Sequence, residues 1–222
     1  AIIEFPTIVQ DAVEEFGGVF ANAPERRHFA EYLTGLLVAE KKNVLGINAE
    51  FAQTPDQSCL NRWITEVEWE ATQLTEQRLA WVQADAQTRY APSGVMPIDN
   101  TLVDHAGKLI EDVGYYWDHA EPRHKIAQDY LIATSVCPSG KHYAWEFRRF
   151  RKRDACEAER TRLAAQPGGF AAASEPAQRL ATFKTHTVLC CDLIDWVVEQ
   201  QIPGTFAFAS YFTHAAIGNR IA

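Results

Sequence analysis

Val95-Met96-Pro97-Ile98-Asp99 is a short apolar run that closes on an acid. Before it, apolar residues recur at helical spacing. After it, they alternate or cluster as they do in strands. Ala91-Pro92-Ser93-Gly94 breaks the pattern immediately upstream, and it divides the chain into residues 1–90 and 91–222. Downstream, Val113 to Trp117 is aromatic and strand-like, and Asp129 to Val136 is rich in β-formers. Pro138-Ser139-Gly140 turns the chain into a fourth strand over His142 to Arg151. Residues 164–178, with Pro167-Gly168-Gly169 and an alanine run, suggest a flexible connection. A helix is expected from about Phe183 to Gln201, stopped by Ile202-Pro203-Gly204. Its apolar face is Leu189, Leu193, Trp196 and Val197; Asp192, Asp195 and Glu199 lie on another face. Thr205 to Ala209 is then a short buried strand, and a last helix starts near Thr213. Consecutive strands, then a helix crossing to another strand, describe an α/β fold: a mixed sheet with flanking helices.

Residues 8–90 are helical by period. Phe29, Tyr32, Leu33, Leu36 and Leu37 follow the cap-like Asn22-Ala23-Pro24. Val44 to Phe51 is a short second pattern. Thr54-Pro55-Asp56-Gln57 then has the form of a capping box, opening a helix that carries Leu60, Trp63, Ile64 and Val67. A further helix runs from about Glu70 to Arg89, with Leu74, Leu79, Ala80 and Trp81 on its apolar side.

The 222 residues are 47% hydrophobic and 23% charged, which excludes a disordered or collagenous chain. No run approaches the ~18 apolar residues of a membrane span. The start, Ala1-Ile2-Ile3-Glu4-Phe5-Pro6, lacks a signal peptide's basic and apolar regions. Five cysteines without a CxxC pair suggest a reduced, cytoplasmic protein with no zinc ribbon. The net charge of −8 argues against a uniformly basic surface and leaves room for a local basic patch. Residues 1–90 hold 14 acidic and 7 basic side chains, whereas residues 141–222 hold 8 and 11. Most of that excess is Arg148-Arg149-Phe150-Arg151-Lys152-Arg153, either a solvated strand end or a phosphate contact.

Pro97-Ile98-Asp99-Asn100-Thr101-Leu102 is followed by His105 and Gly107-Lys108, then by Gly114-Tyr115-Tyr116-Trp117-Asp118-His119 and His124 to Leu131. Phe183-Lys184-Thr185 and Ile202 to His214 complete the series. The whole resembles the DDE transposases of bacterial insertion sequences, whose catalytic core has a ribonuclease-H-like fold. The resemblance implies a catalytic core over residues 91–222, preceded by a helical DNA-binding region over 1–90. It matches Asp99 to the first catalytic aspartate, with Asn100 as a departure at the next position. The family's second aspartate falls at position 209, where this chain has Ala209, and alanine binds no metal. The flanking residues keep the pattern, which points to an introduced change. The third acid, a glutamate in the family, is expected beyond Ala222.

The chemistry explains the set. Phosphodiester cleavage needs hard divalent ions, and carboxylates are their natural ligands. The resemblance thus implies magnesium (Mg2+), with manganese (Mn2+) as a substitute. It implies double-stranded DNA, both transposon ends and target, as partner, and a homodimer or larger assembly. It further implies a bacterial, cytoplasmic and nucleoid-associated setting, with no membrane. Residues 44–67 resemble a helix-turn-helix, with Gln57, Ser58, Asn61, Arg62 and Thr65 as candidate DNA contacts. An ordinary helical hairpin is the bland alternative. Arg149, Arg151, Arg153, Lys108 and Lys184 are candidate phosphate contacts. The histidines show no metal-ligand spacing, and there is neither a serine-hydrolase elbow nor a Gly-rich nucleotide loop. The competing functional reading is a catalytically dead repressor or adaptor derived from a transposase. A weaker third is another ribonuclease-H-like nuclease.

Overall fold

The structure is a computed structural model, and it describes residues 1–53, 56–107 and 110–208. The chain forms two compact units, Ala1–Arg89 and Tyr90–Ala222.

The first unit is helical: α1 (Thr7–Phe16), α2 (Ala23–Val38), α3 (Val44–Ala49), α4 (Gln57–Glu66) and α5 (Ala71–Ala84). Asn22 caps α2 by accepting the Glu25 N–H at 3.0 Å, while Glu25 reaches back to the Ala21 N–H at 3.0 Å. The core gathers Phe16, Phe20, Phe29, Ile47, Leu60 and Trp63. Leu36 and Leu37, expected on the apolar face of α2, are 40% and 60% exposed. The buried stripe runs instead through Phe29, Ala30, Glu31, Thr34 and Gly35. The reason lies at Gly35: a β-carbon there would sit 2.3 Å from Ile47 Cγ2. The missing side chain lets α3 approach α2 on the Gly35 side. The cap of α4 also departs from expectation. Asp56, not Thr54, is its N-cap, accepting the Ser58 N–H at 2.7 Å; Thr54 and Pro55 lie outside the described residues. The expected Glu70–Arg89 helix ends at Ala84.

The second unit is a mixed sheet with helices. Its strands are β1 (Val95–Asp104), β2 (Gly114–Asp118), β3 (Arg123–Val136), β4 (His142–Phe150) and β5 (Thr205–Phe208). The 14-residue β3 is the spine. Its first part pairs with β2 and its second with β4, both antiparallel, along one edge. Its other edge pairs antiparallel with β1, and β1 pairs parallel with β5. The order β4-β3-β1-β5, with the last strand parallel to the first, is the arrangement of a ribonuclease-H-like core.

Both β1 and β3 are longer than the sequence suggested, because charged and polar residues continue the pairing. Between β4 and β5 come α6 (Arg153–Ala164), a 3-10 turn at Phe170–Ala172, α7 (Glu175–Leu180) and α8 (His186–Glu199). The expected flexible connection over 164–178 is therefore about half helical. Gly168 and Gly169 make the turn at φ 85° and 67°, and Pro176 sits in the first turn of α7, where its missing N–H costs nothing. α6 was illegible because only Cys156 and Leu163 are buried along it. Position 213, where a last helix was expected, lies outside the described residues. α8 packs on β3 and β4. It buries Leu189, Cys190, Cys191, Leu193, Ile194 and Val197.

Candidate functional site

Strand alternation decides what faces where. On β3, Ala127, Asp129, Leu131, Ala133 and Ser135 are buried at every second position. Met96 and Ile98 of β1 are 1% and 0% exposed, and Ile98 stands opposite Ala133 on the same face. Asp99 is one residue on, so its side chain points to the other, open face, opposite Ile132. It is exposed, and its Oδ1 accepts the Asn100 N–H at 2.8 Å.

The expectation that Asp99 ends its strand is corrected: β1 continues to Asp104, held by β3 as far as Ala127. What ends beside Asp99 is the described parallel pairing, whose last pair is Ile98 with Phe208. Ala209 lies outside the described residues, as does Lys108.

Asp99, Asn100, Thr101 and Leu102 form one wall of a cavity of about 420 Å³. The other wall is Trp117, Asp118, His119 and Ala120, from the end of β2 and the turn after it. Asp118 is committed: Lys125 Nζ lies 2.6 Å away, and the N–H groups of Ala120 and Glu121 donate to it at 2.8 and 3.1 Å. The Lys125 hydrogen bond, followed by the Glu121 N–H, pulls the Asp118 carboxyl down to about 2. Lys125 also approaches Glu121 at 3.3 Å and Asp104 at 3.5 Å. Among the described residues no set of three metal-donor side chains is gathered. Asp99 with a lysine-bound Asp118 falls short of the donors that a two-ion centre requires.

The basic run is largely neutralised from within. Asp112, whose side chain is 2% exposed, receives Arg151 Nε at 2.6 Å and Arg149 Nε at 2.9 Å. Arg151 also donates to the Leu180 carbonyl. Arg148 pairs with Glu146 at 2.9 Å. The Arg153 guanidinium lies over the Phe183 ring at 4.1 Å, and Lys152 over Tyr116 at 4.7 Å. Lys184 pairs with Asp192 at 2.6 Å. Arg148, Arg149, Arg151, Arg179 and Lys184 nonetheless line one cavity of about 500 Å³.

On α4, Leu60 and Trp63 are buried while Gln57, Ser58, Asn61, Arg62 and Thr65 are exposed. Ile64, expected in the core, is 37% exposed. Helical spacing thus puts the candidate DNA contacts on the outer side of α4, after α3 and a turn. Thr65 Oγ1 donates to the Asn61 carbonyl at 2.9 Å, and Arg62 reaches Cys59 Sγ at 3.5 Å.

Two polar centres went unread in the sequence. His186 Nε2 lies 2.8 Å from Oδ2 of Asp129, a buried carboxylate, and the imidazole stacks on Phe150 at 4.0 Å. Burial, then the charges of Asp129 and Asp112, push the Tyr116 hydroxyl up to about 12. The partners are 57 and 39 residues apart for His186–Asp129 and Arg151–Asp112, so only the tertiary fold brings them together.

No curated protein and no solved structure is similar enough to match this chain. No helix among the described residues is long and apolar enough to cross a membrane. A family model described as DDE superfamily endonuclease matches residues 15–209, spanning most of both units and including Asp99. With a ribonuclease-H-like sheet that carries Asp99 on its open face, the chain belongs to the DDE superfamily of endonucleases.

Proposed function

We propose that this DDE endonuclease is a transposase that binds transposon-end DNA and carries out strand cleavage and strand transfer, and that Ala209 leaves it inactive in this form. The observation that carries the reading is the parallel register of β1 and β5. Asp99 follows Ile98, the last described residue of β1 paired with β5, and position 209 follows its partner Phe208. Two carboxylates at neighbouring strand positions can share one hard cation. The described donors do not complete such a centre, so an aspartate at 209 and a further acid are part of the proposal. When bound, magnesium or manganese would supply charge that stabilises the leaving oxygen of the cut strand.

DNA contact in this reading falls to two places. Asn61 and Arg62 on the exposed side of α4 suit base edges. Arg149 and Lys184, in the cavity edged by arginines, suit phosphates once they exchange their acid partners. Lys108, Gln57, Arg151 and Arg153 would serve as further backbone contacts. The protein would work as a homodimer or larger assembly on paired ends, in the bacterial nucleoid.

The test is reversal. Ala209→Asp, in a chain extended to include the third acid, should gain magnesium- or manganese-dependent cutting of end-bearing DNA, and Asp99→Asn should abolish it. A chain that binds DNA specifically yet stays inert after Ala209→Asp would favour the second reading, a repressor or adaptor, for which Ala209 itself is the motivating observation.

A further inference from the structure

Between α4 and α5 the chain runs extended over residues 67–70. Val67 and Glu70, at the two ends, have φ/ψ of −79°/124° and −78°/96°. Side chains alternate along such a backbone. Val67 and Trp69 are half-buried and pack against the core of the helical unit, while Glu68 and Glu70 are exposed. Trp69 lies 6.5 Å from Trp63 with the ring planes 10° apart, which anchors the stretch. Its main chain has no such support. The N–H and C=O groups of Glu68 and Trp69 make no hydrogen bond among the described residues. They are in the condition of a strand edge without a neighbour.

The same stretch borders a cavity of about 680 Å³. Val19, Ile64, Val67 and Trp69 form its apolar side, and the charged groups in its lining are the carboxylates Glu68 and Glu70. Glu66, the last residue of α4, is a third exposed carboxylate beside it. None of the three has an ion pair among the described residues. Uncompensated acids repel phosphate and attract lysine or arginine, so the partner here is cationic rather than a nucleic acid. The apolar side takes bulky side chains, and the unpaired backbone takes a second extended main chain. A small organic cation would satisfy the first two features and leave the third unmet.

We propose that residues 67–70 dock a basic, extended peptide segment of a partner protein by strand addition. Glu68 and Glu70 are two residues apart on one side of the stretch, roughly 6–7 Å along a strand. Lysine or arginine at every second position of the partner would stand across from them. The residues between would face Val67 and Trp69 and enter the cavity, so they are large and apolar. The inference does not rest on the nuclease reading of Asp99, and neither outcome of its test bears on that reading.

The test uses the full chain and a capped, fluorescein-labelled pentapeptide in which lysines alternate with leucine and phenylalanine, followed by fluorescence anisotropy. Wild type should bind it. Glu68→Lys combined with Glu70→Lys should weaken binding by about tenfold or more, since two attractive pairs become repulsive. Both side chains are exposed, so the fold should survive, and a thermal melt checks it. A second arm needs no mutation. The same peptide N-methylated at alternate amides keeps its charge and side chains but loses main-chain donors, and wild type should bind it about tenfold more weakly. Absence of binding at millimolar peptide would overturn the proposal, as would undiminished binding by the folded double variant. Equal affinity for the N-methylated peptide would refute strand addition. Displacement of the peptide by 4-phenylbutylamine at a similar concentration would also overturn it and assign the cavity to a small organic cation.

Discussion

Lys125 shows how much one side chain can organise. It stands 2.6 Å from Asp118 and within 3.5 Å of Glu121 and Asp104, so it ties the β2–β3 turn to the far end of β1. The Asp118 carboxyl is pulled down to about 2, below the usual ~3.9 of an unfolded chain. A depressed carboxyl stabilises the fold above the unfolded value, and that stability is lost as pH falls through the folded one. The contribution is thus complete near pH 5 and disappears between about 4 and 2. Lys125 is held above its ordinary value, chiefly by the Asp118 hydrogen bond, so its share is lost only at strongly alkaline pH. Lys125→Met should raise the Asp118 titration towards the ordinary range, with the Glu121 and Ala120 N–H groups retaining part of the depression. Carboxyl-carbon NMR across pH 1.5–6 would measure it, and an unmoved titration would show that the backbone donors alone are responsible. None of this was legible in the sequence. Asp104, Asp118 and Lys125 are ordinary solvated charges until the register of β1, β2 and β3 is known. Asp99 drew notice because its neighbours resemble a family motif; its place inside β1 was not legible, because polar Asn100 and Thr101 hid the strand's continuation.

At the scale of elements, the sequence told most where one face is buried. α8 was visible because its apolar positions recur with a helical period, and β4 because its residues alternate after a turn. α6 was missed because a helix with two buried residues carries almost no periodic signal. The exposed Leu36 and Leu37 mark the opposite failure, where hydrophobicity pointed to the wrong side of α2. What oriented α2 is a glycine, which no apolar pattern registers. Gly35→Ala tests this. Alanine is the better helix former by about 1 kcal/mol, but its β-carbon would lie 2.3 Å from Ile47 Cγ2. Ile47 is 1% exposed and has little room to yield. The clash should prevail and destabilise the helical unit by about 1–3 kcal/mol in a urea titration, as overpacking does. A stabilised variant would mean that α3 moves away at little cost.

The whole molecule carries its charge unevenly, with 14 acidic against 7 basic residues over 1–90. Long-range attraction to DNA cannot come from a helical region with that balance, so the proposed phosphate binding would have to be local. If Arg149 and Lys184 contact phosphates, replacing both with glutamine should lower the slope of log affinity against log salt by about 1.8. Each is ion-paired in the structure, to Asp112 and Asp192 respectively. An unchanged slope would mean that those pairs stay closed when DNA binds. The sheet has a different kind of unevenness. β3 has β1 along one edge and β2 and β4 end to end along the other. Its amides are therefore hydrogen-bonded among neighbours on both sides, while among the described residues β2 and β4 pair through β3 alone. Release of a β3 amide to solvent requires the surrounding sheet to open, whereas β2 or β4 can peel off singly. In deuterated buffer, Ala127 to Ala133 should be among the last positions of the second unit to take up deuterium, and their rate should report the free energy of unfolding that unit as a whole.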